Sequence, residues 1–110
     1  MVIDVNEENF EEEIVYSDVP VVVDFWAKWC KPCLAFATTF KKLSKKYKDQ
    51  IRFLKCDVAK NKALTDLFNV KSIPTLLLFH DGELQDKMVG NYDTEKLEEK
   101  LRNLMEKCQE

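Results

Sequence analysis

The chain has 110 residues, 45% hydrophobic and 34% charged, with 17 basic against 20 acidic side chains and a net charge of −3. That size suits a single hydrophobic core, and two glycines and three prolines exclude collagen-like and low-complexity classes. The acidic balance offers nothing to nucleic acid, and no apolar run approaches the ~18 residues that a membrane crossing needs. The opening "MVIDVNEENFEEEIV" has neither the basic nor the apolar part of a signal peptide, so one domain over residues 1–110, working in the cytoplasm, is expected.

Asn6 to Tyr16 reads as a first helix, capped by Asn6, with Phe10 and Ile14 turned inward. Val21 to Trp26, "VVVDFW", is a short β-rich run of the kind found in strands covered on both faces. A long helix follows through Tyr47, with Phe36, Phe40, Leu43 and Tyr47 forming a stripe at helical spacing. Its other side carries Lys41, Lys42, Lys45, Lys46 and Lys48, read as a solvated face with cations near the C-terminal dipole. Ile51 to Val58 is a further strand. Asn61 to Phe68 is a short helix with Leu64, Leu67 and Phe68 inward. Thr75–Phe79 and Leu84–Val89 form two strands joined at "HDGE", where Asp81-Gly82 is a strong hairpin signal. A last helix, capped by Asp93, aligns Leu97, Leu101, Leu104, Met105 and Cys108. This alternation implies an α/β domain with a mixed sheet and helices on both faces.

Of the four cysteines, Cys30 and Cys33 stand three positions apart between a strand end and a helix start. At that spacing their Cα atoms lie within disulfide reach. Cys30 at the helix N-terminus meets unpaired N–H groups and the positive end of the dipole, which favour a reactive thiolate. Cys33, one turn further in, is the more buried and more protonated thiol, and Pro32 stiffens the turn at no hydrogen-bonding cost. The pattern predicts an exposed nucleophile, Cys30, and a resolving thiol, Cys33, acting through a mixed disulfide. Two other readings stay open. A zinc site needs about four ligands, and only Cys56, His80 and Cys108, each in a different element, remain to complete it. A purely structural disulfide is the other. Cys108, on the stripe of the last helix, and Cys56, in a central strand, read as packing thiols without a redox role.

"VVVDFWAKWCKPC", "KSIPTLLLFHDGE" and "MVGNYD", in that order, resemble the thioredoxin family over essentially the whole chain. The resemblance implies the thioredoxin fold, a mixed central sheet of about five strands flanked by four helices, and a general protein-disulfide reductant without bound cofactor or metal. It also implies a monomer that serves disulfide-containing client proteins. A thioredoxin reductase, NADPH- or ferredoxin-linked, would supply its electrons.

Asp24 interrupts an apolar run. If that strand is covered on both faces the carboxyl is desolvated and its pKa rises, which suits it to exchange a proton with Cys33; a wet edge-strand position is the alternative. The resemblance assigns Asp24 that proton role, sets Lys55 beside it, and implies a cis bond between Ile73 and Pro74 packed against the thiols. It further implies a docking rim made of Trp29, Lys31, Pro32, Ile73, Thr75, Val89 and Gly90, with Phe25 and Trp26 in the core. The chain departs from the family at three places. Lys31 stands where glycine is typical, Leu34 where a basic residue is common, and Thr38 where a helix-kinking proline often sits, which leaves the bend of the long helix open. A specialised oxidase, isomerase or single-client reductant, or a non-catalytic binding subunit, are the rival functions.

Overall fold

In the computed structural model, which describes residues 1–90 and 92–109 with the side chains of Cys108 and Gln109 set aside, five strands form one sheet in the order β1-β3-β2-β4-β5. The strands are β1 (Val2–Asp4), β2 (Val21–Trp26), β3 (Arg52–Asp57), β4 (Thr75–His80) and β5 (Glu83–Val89). β1, β3 and β2 run parallel, whereas β4 is antiparallel to β2 and β5 to β4. The helices are α1 (Lys31–Lys46), α2 (Lys62–Leu67) and α3 (Thr94–Gln109), with a short π-type turn of helix at Glu11–Val15.

Side-chain alternation sorts the strands into two apolar layers. Val22, Phe53, Leu76, Leu78 and Met88 join Phe40 and Leu43 of α1 and Leu97, Leu101 and Leu104 of α3 on one face. Val21, Val23, Phe25, Leu54, Cys56, Leu77 and Phe79 meet Ile14 and Leu64 on the other. β2 is therefore covered on both sides, and Val21 to Phe25 are all buried. Edge-to-face pairs lock each layer, Phe40 on Phe53 at 5.2 Å and Phe68 on Phe79 at 5.4 Å. The lysine face of α1 is exposed, as expected, although Lys46 and the Tyr47 hydroxyl both donate to Glu98 of α3, at 2.6 and 2.7 Å.

The turn between β4 and β5 is the one the sequence predicts. Asp81 and Gly82 both take positive φ, 54° and 76°, the pattern of a type I′ hairpin. A Cβ at Gly82 would lie 3.0 Å from the Val15 carbonyl oxygen, so this glycine serves packing as well as the turn.

Three expectations need correction. The first helix is reduced to the π-type turn, closed by the Tyr16 N–H donating to the Glu11 carbonyl at 2.9 Å. Glu7–Glu11 and Glu8–Glu12 are like-charge pairs at the i,i+4 spacing, which disfavours a regular α-helix there. Asn6 still caps the segment, accepting from Glu8 and Asn9 N–H, and Ile14 is buried. Leu67 is 62% exposed rather than inward: α2 has under two turns, and Leu64 with Phe68, at the i,i+4 spacing, fills its inward stripe. β1 falls outside the strands read from the sequence, because three residues are too few to show an alternation. The long helix runs unbroken through Thr38.

Candidate active site

Cys30 and Cys33 are joined as a disulfide at the start of α1, with Cα atoms 5.3 Å apart. Local structure dictates the placement. β2 ends at Trp26, the Cys30 N–H donates back to the Ala27 carbonyl at 3.1 Å, and Cys30 keeps an extended backbone as the N-cap of α1. Its Sγ takes the role usually played by a capping oxygen, accepting from the Cys33 N–H at 3.2 Å. Negative charge on this sulfur would thus be met by a backbone donor and by the dipole of a 16-residue helix. Pro32 occupies the first turn, where no N–H is needed.

The sequence predicts an exposed Cys30; the structure corrects this. Cys30 is only 6% exposed and Cys33 1%. The pair sits in a small cluster with Ala27, against which Trp26, Val58 and Ile73 pack. These neighbours come from other parts of the chain, and in the disulfide each sulfur also covers the other. A partner must therefore seat closely on the surrounding surface to reach the bridge.

That surface has two depressions. One, of about 400 Å3, is lined by Trp29, Val58, Val70 and Ile73, and Trp29 stands 72% exposed at its edge. The other, of about 260 Å3, runs between Pro32, Phe36, Pro74, Gly90 and Tyr92. The Ile73–Pro74 bond is cis. The Pro74 carbonyl accepts from the Gly90 N–H at 3.0 Å, and Thr75 pairs with Val89 in the β4–β5 ladder. Gly90 has a φ of 83°, a conformation that disfavours a side chain even though the space around it is open. Of the seven residues expected to form a rim, Trp29 and Ile73 line the first depression and Pro32 and Gly90 the second; Lys31 and Val89 are exposed and Thr75 is buried. Val58, Val70 and Tyr92 belong to the same walls and were not singled out in the sequence, where nothing but proximity in the fold distinguishes them from core.

Asp24 points to the α1/α3 face of β2, on the same side as Val22, and is 4% exposed. Its Oδ1 has no hydrogen-bond partner among the described residues. Burial pushes its carboxyl up from 3.8 to about 7, against a smaller downward pull from Lys55. Lys55 is its register partner on β3. The ammonium, however, lies 3.8 Å from Asp4 Oδ1 and 5.5 Å from the centre of the Trp26 ring. Tyr92 packs edge-on against Phe36 at 5.1 Å, and its buried hydroxyl also lacks a partner among the described residues. Burial and the charge of Asp24 together push that hydroxyl above its ordinary range.

Cys56 is fully buried and unpaired, and burial, with Asp57 and Glu7 nearby, pushes its thiol up to about 12. It lies in the apolar layer that joins β3 to Leu64 of α2 and is not a member of the bridge cluster. The side chain of Cys108 lies outside the described residues. Among the described residues no three His, Cys, Asp or Glu side chains gather as a metal-ligand set, and no helix is long and apolar enough to cross a membrane.

The family model for thioredoxin matches residues 1–103. A thioredoxin of Rickettsia bellii is 37% identical over 103 residues, covering 94% of this chain and 98% of its own length. Thioredoxin 1 of Synechococcus elongatus is 37% identical over 78% of this chain and 80% of the relative. A chloroplastic M-type thioredoxin of Spinacia oleracea is 38% identical over 79% of this chain and 48% of the relative. With that similarity over nearly its full length, and with a redox-capable cysteine pair bridged at the start of α1, the chain belongs to the thioredoxin family of thiol–disulfide oxidoreductases.

Proposed function

We propose that the protein is a general protein-disulfide reductant of the cytoplasm that carries electrons by cycling Cys30 and Cys33 between dithiol and disulfide. In the forward direction the Cys30 thiolate attacks one sulfur of a client disulfide. The client's S–S bond breaks, a mixed disulfide forms, and the first client sulfur leaves as a thiolate that takes a proton from solvent. Cys33 then gives its proton to the Asp24 carboxylate and attacks the Cys30 sulfur. The mixed disulfide breaks, the second client sulfur leaves and is protonated, and the Cys30–Cys33 bridge remains. The client has gained two electrons and two protons. A reductase, NADPH- or ferredoxin-linked, returns them to the bridge.

The observation that carries this reading is the bridge capping α1 through the Cys33 N–H to Cys30 Sγ contact. That environment favours anionic sulfur at Cys30. Supporting the proton role is the buried Asp24 carboxyl, raised to about 7, a value suited to both taking and giving a proton near neutrality. Supporting a docking role for the rim are the two depressions that flank the bridge, with Trp29 and Ile73 on one side and Pro32, Pro74 and Gly90 on the other.

A redox titration of the bridge, followed by Trp26 and Trp29 fluorescence and paired with an insulin-reduction assay, tests the proposal. A general reductant should titrate near −270 mV, the value characteristic of thioredoxins as a class, and reduce insulin. A potential near −120 mV would make the protein an oxidase instead. A Cys33→Ser variant should accumulate mixed disulfides through Cys30, and their absence would overturn the assigned order of attack.

A further inference from the structure

The strand register sets three charged side chains in one row across the sheet. Asp4 of β1 pairs with Lys55 of β3, and Lys55 pairs with Asp24 of β2. Facing positions on adjacent strands share a face, so Asp4, Lys55 and Asp24 all project to the α1/α3 side, and the row continues into the apolar Leu76 and Met88. The single cation in this row has two carboxylates to choose between. It lies with the outer one, 3.8 Å from Asp4 Oδ1, and over the Trp26 ring. The inner carboxyl is left with an unpartnered buried oxygen. Asp4 and Lys55 also line one open recess of about 370 Å3 with Trp26, so the ammonium sits where water reaches it.

We propose that Asp4 is a positioning residue for the redox chemistry: by drawing the Lys55 ammonium toward the β1 edge, it withholds a counter-ion from the buried Asp24 carboxyl. Each carboxylate favours Lys55 at its own end of the row. An exposed aspartate keeps its hydration while it pairs, whereas pairing with Asp24 would take the ammonium out of water. The remaining groups that bear on Asp24 fit this picture. On the β4 side its register partner is the apolar Leu76, and before α3 the Tyr92 hydroxyl is unpartnered. At the buried start of α1 the titratable group is Cys33, held in the bridge in the oxidised protein. Lys55 is thus the cation whose position decides how strongly Asp24 holds its proton, and Asp4 governs that position.

The inference rests on reading Asp24 as the proton partner of Cys33, but its test does not. The Asp24 carboxyl is titrated by carbon-13 NMR in the oxidised full-length protein, in which no thiol of the pair titrates. Asp4→Asn removes a negative charge two strands away and frees the ammonium to turn inward. Both effects favour ionised Asp24, so its titration midpoint should fall by about half a pH unit or more. Asp4→Glu, which keeps the charge, should restore the wild-type midpoint. In a Lys55→Met background the same Asp4→Asn change should move the midpoint by less than half as much. A midpoint unmoved by Asp4→Asn overturns the proposal, and so does a fall of equal size with and without Lys55. The proton role of Asp24 is judged separately, by whether Asp24→Asn slows release of the mixed disulfide by Cys33.

Discussion

Neutralising Asp24 should stabilise the fold, and by an amount that grows with pH. The carboxyl has an ordinary value of 3.8 and, buried in the sheet, is raised to about 7. At about 1.4 kcal/mol per pH unit, that interval of about 3 units corresponds to about 4 kcal/mol. The sign follows from which state holds the proton more tightly. Here the folded protein does, so as pH rises the unfolded chain releases its proton first and gains stability relative to the native state. The native state is unaffected by this group below about 3.8, loses stability between 3.8 and about 7, and is level again above that. Asp24→Asn removes the titration while keeping shape and polarity. The cost of placing an amide in this pocket is the same at every pH and cancels when two pH values are compared. Urea unfolding of the oxidised wild type and variant at pH 5 and pH 8.5 should show the variant gaining about 2–3 kcal/mol more, relative to wild type, at the higher pH. An equal difference at both pH values would refute the reasoning, because it would mean that Asp24 ionises in the native state as readily as in the unfolded chain.

Three further outcomes are expected. Lys31 is exposed one residue after the N-cap of α1, so Lys31→Gly should move the potential of the bridge by only about 5–20 mV; a displacement beyond ~60 mV in a redox titration would contradict this. Cys56, fully buried and with its thiol pushed up to about 12, should resist iodoacetamide at pH 8 in the native protein and react at once in 6 M guanidinium, as read by mass spectrometry. Leu101→Ala, at a fully buried position where α3 packs on the sheet, should lower the unfolding free energy by about 3 kcal/mol in denaturant titration without displacing the redox potential.

Wherever a local pattern suffices, the sequence announces the structure. The unbroken apolar runs of β2 and β4, the Phe40–Leu43–Tyr47 stripe, the Asp81-Gly82 turn and the short step from strand to Cys30 each depend on neighbours within a few residues, and each is found in the fold. What escapes is set by distant partners. The burial of Cys30 comes from Trp26, Val58 and Ile73, of which Ile73 is 43 positions away. Leu67 looks like core by spacing and lies open because Leu64 and Phe68 already fill the inward stripe of a helix under two turns long. Asp24 can be read as buried from its apolar surroundings, but the location of the Lys55 ammonium cannot, because it depends on the register of a third strand that the sequence pattern does not reveal. The family resemblance supplies the neighbourhood of Lys55 and says nothing about Asp4.

That third strand has a consequence for how such a centre can be adjusted. Asp24 lies in a fully covered strand, where a change of size or charge disturbs both apolar layers at once. Lys55 is half-buried between β1 and β2 and stacks on Trp26, so replacing it alters packing as well as charge. Asp4 is different: its side chain is 78% exposed at the outer edge of the sheet, and its one strand neighbour is Lys55. Changing Asp4 moves a cation relative to a buried acid while the apolar layers stay as they are. The edge of the sheet is therefore where the acid's proton affinity can be set with the least disturbance to the core that buries it.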